Sequence, residues 1–186
     1  LSSIERVLPE FRGLIEQVPP AFSAIKVKGE RAYAKARRGE TVDLPARSVR
    51  IESLQVVDFS DGYLTISVAC SKGTYIRSLA HDIGQRLGVG GVMTALRRTR
   101  VGHWTVANSI GLNAFCELDT LAQTSRCVSL WETLPDLPAL DLTVDEQARV
   151  RNGIRFAVSD GSKAGQYRVA DEEGDLIAIV AVDDAG

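Results

Sequence analysis

Apolar residues recur at steps of three and four between residues 76 and 87, where Ile76, Leu79, Ala80, Ile83 and Leu87 mark one face of a helix. Asp82 and Arg86, four residues apart, fall on its outer face as a pair of opposite charges. Gly73 and Thr74 are turn and cap types just ahead of this helix, and Gly88, Gly90 and Gly91 close it. Residues 48–57 and 63–70 alternate instead, and Asp61-Gly62 between them is a tight-turn dipeptide, so an antiparallel hairpin is predicted. Weaker helical patterns cover residues 30–38, stopped by Gly39, and residues 112–122, which look short of capping residues. Pro19-Pro20 excludes helix ahead of the alternating stretch 23–28. Residues 92–102, VMTALRRTRVG, read as a strand with Leu96, Arg98 and Arg100 on one face and Arg97 on the other.

Two prolines in LPDLPAL, residues 134–140, predict a linker and a domain boundary that separates residues 1–137 from 138–186. Beyond it Thr143 caps a helix reaching Arg151, Asn152-Gly153 closes it, and short apolar runs at 154–158, 166–170 and 176–182 read as strands. A helix with short strands in the last 49 residues suits a small barrel-like module. The whole is therefore expected to be α+β, with a mixed, mainly antiparallel sheet, packed helices and that smaller module.

Composition narrows the class without naming a chemistry. The 186 residues are 45% hydrophobic and 25% charged, as in a soluble globular chain of one or two domains. No apolar run approaches the roughly 20 residues of a membrane span, so no membrane partner is expected. Cys70, Cys116 and Cys127 form no C-x-x-C pair and have only His81 and His103 beside them, which makes a zinc cage a poor reading. Reduced cytoplasmic thiols are the default expectation.

Charge changes the picture more. Residues 1–110 hold 16 Lys and Arg against 10 Asp and Glu, whereas residues 111–186 hold 6 against 14. A basic first part points to a polyanion. Its cations are placed in stripes: Lys26 and Lys28 share one strand face, Arg31, Lys35 and Arg38 recur at i, i+4 and i+7 on the helical pattern, and Arg98 and Arg100 share a face further on. Charge that protects exposed sheet edges is the plainer explanation of each stripe. Three basic elements in one domain favour RNA or DNA.

Tyr75 and Arg77 stand where strand passes into helix. Two residues apart in extended chain they share a face and can enter one cleft; a tyrosine packed on the core beside a surface arginine is the competing reading.

Three segments carry a resemblance. QVPPAFSAIKVKGERAYAKARRG (residues 17–39), CSKGTYIRSLAHDIGQRLG (70–88) and ALRRTRVG (95–102) occur in the order and spacing of the TruB-type tRNA pseudouridine synthases. The similarity covers about residues 5–110, and the tail resembles, in position and turn pattern, the small PUA-type RNA-binding module of many such proteins. The resemblance implies a partial pseudouridine synthase fold followed by a PUA-like β-barrel. It implies isomerisation of a T-loop uridine of tRNA, pseudouridine(55) synthesis, with no metal or organic cofactor. Tyr75 then matches a tyrosine lying against the flipped base, Arg77 an arginine that pairs with the catalytic Asp, and Leu96 an apolar residue lining the pocket. Lys26 matches a lysine of the P-P-x-x-S-A-x-K motif whose role can be structural.

The family's catalytic Asp lies in a G-x-L-D motif upstream of the Pro-Pro pair, and these 186 residues contain no such motif. Glu117-Leu118-Asp119 includes Leu-Asp, but the Gly that the motif requires is missing ahead of it and the segment follows the ALRR motif, so Asp119 reads as a helix surface residue. Asp82 lies a turn or more down its helix and is no substitute. The expectation is a chain that carries Tyr75, Arg77 and the basic elements, lacks its catalytic Asp, does not isomerise uridine alone, and has the upstream segment of the same protein as a partner beside tRNA. Two other readings stand beside it: a noncatalytic RNA-binding or tRNA-folding module on the same scaffold, and a protein-interaction domain with no T-arm affinity.

Overall fold

The longest alternating pattern becomes the frame of the first of two units. The computed structural model describes residues 1–27, 29–158 and 161–184, and the chain divides into Leu1–Thr99 and Arg100–Gly186. In the first unit, helix α1 (Ser2–Val7) runs through a short 3-10 turn into β1 (Gly13–Gln17). A small ribbon of β2 (Lys26–Val27) and β3 (Glu30–Arg31) leads into α2 (Ala32–Arg37). Then come β4 (Arg47–Ser60), β5 (Tyr63–Cys70) and α3 (Ile76–Arg86).

The main sheet has the order β1-β4-β5 and is antiparallel throughout. Asp61 and Gly62 both have positive φ, 51° and 79°, the geometry of a type I′ turn whose twist matches the strands it joins. The inward parity of β4 changes after Ile51: Val49 and Ile51 are buried, then Leu54, because Glu52 has no partner in the register between Ile51–Cys70 and Ser53–Ala69. That bulge lets a sequence with apolar residues at 49, 51, 54 and 56 keep one inner face. Against it pack Ile4 and Leu8 from the amino-terminal turns and Leu79 and Ile83 from α3. Each such side chain, fully buried, contributes on the order of 1.5–3 kcal/mol. Residues 1–17, where the hydrophobic pattern assigns no element, thus supply both a helix and an edge strand.

Several expectations are corrected here. Arg86 does not pair with Asp82: it grips Glu10 with two bonds, Nε to Oε2 at 2.6 Å and Nη2 to Oε1 at 3.0 Å. A two-pronged carboxylate from a neighbouring turn outcompetes a one-pronged i,i+4 contact. That hydrogen bond holds the Glu10 carboxyl below its ordinary range, while desolvation pushes Asp82 up. The strand expected over residues 92–102 is absent except at Arg100–Val101; residues 92–99 are irregular, with no neighbouring strand among the described residues to pair them. The cationic helix is shorter than its pattern, because Glu30 and Arg31 belong to β3, so Arg31 leaves the helical stripe.

The second unit begins with a ribbon of β6 (Arg100–Val101) and β7 (Trp104–Thr105), then α4 (Leu112–Cys116) and α5 (Thr120–Arg126). The single helix expected over residues 112–122 is split, and Asp119 is the reason: its Oδ1 accepts from the Ala122 amide at 2.8 Å and starts a new helix. Next, α6 (Val144–Arg151) carries the predicted Thr143 cap, completed into a capping box by Glu146. An antiparallel hairpin of β8 (Gly165–Ala170) and β9 (Leu176–Val182) ends the unit. Leu140, Val169 and Val182 form its core.

The expected linker is tied down. The Leu140 amide donates to the Arg168 carbonyl at 3.0 Å and the Arg168 amide to the Pro138 carbonyl at 2.9 Å, while the Arg168 guanidinium lies 4.0 Å from the centre of the Trp131 ring. Burial of Leu140 and this stacking outweigh the freedom two prolines imply. Nor do the described residues close a barrel: 154–158 form no strand, and β8-β9 gains only one parallel bridge, Ala139 to Arg168.

Candidate active site

Gln17 ends strand β1 with its side chain 2% exposed, and its amide meets residue 75 twice. Its Nε2 donates to the Tyr75 carbonyl at 3.0 Å, and its Oε1 accepts from the Tyr75 amide at 2.7 Å. A side-chain amide offers a donor and an acceptor side by side, which matches the carbonyl and amide of one residue. One helical turn on, the buried Ser78 hydroxyl donates to the Val18 carbonyl at 2.7 Å, and Arg77 Nη2 donates to the Phe22 carbonyl at 2.9 Å. The Pro-Pro segment and the strand-to-helix junction, 58 residues apart in sequence, are therefore held together by four hydrogen bonds.

The junction itself is built locally. Gly73 takes φ 85°, Thr74 Oγ1 donates to the Ser71 carbonyl, and Tyr75 occupies the cap position with φ −97° and ψ 104°. The helix starts at Ile76, so Arg77 lies inside its first turn and strand periodicity is not what relates the two residues. Tyr75 is half-buried and Arg77 exposed. Of the five N–H donors of a guanidinium, the Phe22 carbonyl takes one at Nη2.

The other expected site residues are less concentrated. Leu96 is 60% exposed on the irregular segment 92–99 with Arg98, and Arg100 opens β6 in the second unit. Lys26 and Arg31 are exposed and face each other across the β2–β3 ribbon. Lys28 lies outside the described residues. Arg38 is neutralised: its Nη2 meets Glu30 Oε2 at 2.9 Å and its Nε meets Glu40 Oε1 at 2.7 Å. Lys35 stands 4.0 Å from the same Glu40. The hydrogen bonds from Arg38 hold the Glu30 carboxyl low, and those carboxylates raise the Arg38 guanidinium further. Arg37, whose guanidinium is 5.5 Å from the centre of the Tyr33 ring, is the exposed cation that the pattern passed over.

Two family models match in succession. The TruB family pseudouridylate synthase N-terminal domain matches residues 1–76, and the tRNA pseudouridylate synthase B C-terminal domain matches residues 77–134. The chain belongs to the TruB family. Among similar proteins, tRNA pseudouridine synthase B of Mycobacterium ulcerans (strain Agy99) is 41% identical over 192 residues, covering 96% of this chain and 61% of the relative. That of Synechococcus sp. (strain CC9311) is 54% identical over 114 residues, covering 60% of this chain and 38% of the relative. The TruB-family chain thus spans less than two thirds of these relatives' length. A solved Cbf5-Nop10-Gar1 complex shares the fold, with a TM-score of 0.75 at 24% identity over 98% of this chain and 55% of that one. An H/ACA RNP bound to a substrate RNA containing 2'-deoxyuridine follows at 0.68 and 22%, covering 98% of this chain and 54% of that one.

Within the TruB motifs, Gln17 and Ser78 are the residues that composition and periodicity miss. A polar residue at the end of a strand and a serine in a helix carry no mark of burial; only their partners 58 and 60 residues away reveal it.

Proposed function

We propose that this chain is part of a tRNA pseudouridine(55) synthase, in which Tyr75, Arg77 and Leu96 form one side of the pocket for a T-loop uridine. The observation that carries the reading is the four-bond pinning of residues 17–22 onto residues 75–78, since it joins two separate family motifs at a single place. In the reaction the bond from ribose C1′ to uracil N1 breaks, the ring turns, and C1′ bonds to C5. The proton on C5 leaves to solvent and N1 regains one. A carboxylate from a G-x-L-D motif is required, and the 186 residues have none. The isolated chain is therefore inactive, and its partner for activity is the segment that carries that motif.

Extruding the base costs a few kcal/mol, which stacking on an aromatic ring at about 1–3 kcal/mol offsets. Tyr75 serves that purpose, its backbone fixed by Gln17. Arg77 favours the ionised carboxylate and orients it through donors other than the one given to Phe22. Lys26, Lys28, Arg31, Arg98 and Arg100 meet phosphates of the T-arm; Lys35 and Arg38, engaged by Glu30 and Glu40, contribute less. Residues 138–186 serve as a PUA-like RNA-binding domain that follows residues 1–137 in sequence. The three free cysteines suit a reducing, cytoplasmic setting.

Release of tritium from T-arm RNA labelled at uracil C5 tests the reading. No release by the 186-residue chain, and release once the G-x-L-D segment is supplied, is the expected result. Turnover by the chain alone refutes the account of the absent carboxylate. The noncatalytic alternative, an RNA-binding or tRNA-folding module on the same scaffold, predicts T-arm binding without release under either condition.

A further inference from the structure

Gly84 sits in the last turn of α3, and glycine inside a helix ordinarily weakens it relative to alanine. Its surroundings explain it. A Cβ at Gly84 would lie 2.2 Å from the carbonyl carbon of Gly90, 2.3 Å from its oxygen and 2.3 Å from the Gly91 nitrogen. These are main-chain atoms that cannot swing aside. The contact is reciprocal: a Cβ at Gly91 would lie 2.4 Å from the Ala80 carbonyl oxygen and 3.2 Å from Gly84 Cα.

The approach is built by the end of the helix. Gly88, with φ 76°, follows the last turn; its amide donates to the Gln85 carbonyl at 2.9 Å, and the Val89 amide to the Gly84 carbonyl at 3.1 Å. This pair of bonds is a Schellman stop. Gly90, with φ 71°, adds a further bond to the same Gly84 carbonyl at 3.0 Å. The chain has then reversed: from Gly84 the close contacts pass to Ala80, one turn nearer the start of α3. From there to Arg77 is only about 5 Å along the axis, at about 1.5 Å per residue. Extended chain covers that in about two residues. Leu96, five residues beyond Gly91, has ample reach.

We propose that the Gly84–Gly91 backbone contact is a positioning device that sends residues 92–98 back along α3 and presents Leu96 at its Tyr75–Arg77 end. Gly84 and Gly91 touch no reacting atom; they act through the segment they aim. The functional value of that placement rests on the pocket reading above, whereas the path itself does not. Any side chain at either glycine pushes the segment off the helix. The positively charged Arg97 and Arg98 move with it, so the same contact sets where RNA phosphates are met.

The test is an NMR measurement on the 186-residue chain. Nuclear Overhauser contacts between residues 92–96 and residues 75–77 are expected. Their absence in the folded wild-type chain, with contacts from Gly91 to Ala80 present, overturns the proposed path. Gly84→Ala and Gly91→Ala are expected to erase the contacts to 75–77 while keeping those of Leu79 with Ile51 and Leu54. Tryptic cleavage after Arg97 and Arg98 should rise about tenfold, equivalent to about 1.4 kcal/mol of local closure. If Gly84→Ala instead raises the melting temperature and leaves the contacts intact, as a helix-interior alanine would by propensity alone, the positioning role is refuted. If the path is confirmed but Leu96→Ala has no effect on a complete synthase, the pocket reading fails and the positioning result stands.

Discussion

Replacing Gln17 by Ala removes the donor and the acceptor that hold Tyr75, in a place where the side chain is 2% exposed. Each hydrogen bond contributes about 0.5–1.5 kcal/mol net, and a Tyr75 amide or carbonyl left dry costs about 1–3 kcal/mol more. Water reaches part of this half-buried junction, so the expected loss is about 2–3 kcal/mol, a fall of about 10–15 °C in the melting temperature of a unit this size. Gln17→Glu is the sharper probe. A neutral carboxyl reproduces both bonds, its O–H donating to the Tyr75 carbonyl and its C=O accepting from the amide, whereas the carboxylate sets negative charge against that carbonyl. The introduced acid therefore has a raised value in the folded chain: its penalty is absent below about pH 4.3 and grows as pH rises through the folded value. Urea denaturation of wild type and Gln17→Glu at pH 4 and pH 8 checks this. A difference that grows with pH supports the latch, and a pH-independent difference, or a Gln17→Ala loss under about 0.5 kcal/mol, refutes it.

Three further outcomes follow from the same contacts. Arg31→Ala should reduce the salt dependence of T-arm RNA binding by about 0.7 in log–log slope, while Arg38→Ala, already neutralised by Glu30 and Glu40, should change it little; fluorescence titration across salt concentrations separates them. Asp82→Asn should stabilise the chain at pH 7 by up to about 0.5 kcal/mol, because desolvation raises its carboxyl in the fold; the gain should vanish below about pH 3.9, where the acid is neutral folded and unfolded. Asp119→Ala should lose about 1 kcal/mol of stability through the cap of α5, seen by thermal melting, with T-arm binding unchanged.

The elements legible in the sequence are those whose signal is local. The Asp61-Gly62 turn, the 3.6-residue period of α3 and the Thr143 cap each need only a few neighbouring residues, and each stands where the pattern puts it. What was not legible depends on distant partners. Arg86 turns from Asp82 to Glu10, 76 residues away; Arg38 turns from solvent to Glu30 and Glu40; residues 134–140 settle on β8. Alternation over residues 92–102 failed as a strand signal because two glycines fold the chain against α3 before it can pair. In the candidate site, the family motifs located Tyr75 and Arg77, but Gln17 and Ser78, which bring the motifs together, show themselves only in three dimensions.

The central claim is that Arg77 serves a carboxylate at a pocket assembled from residues 17–22 and 75–78. Single-turnover tritium release by the chain joined to its G-x-L-D segment, compared between wild type and Arg77→Ala alongside T-arm affinity, tests it most directly. The account predicts a chemical step slowed at least about a hundredfold, near 2.7 kcal/mol, with affinity within about threefold. Equal losses in rate and affinity, or an unchanged chemical step, would contradict it.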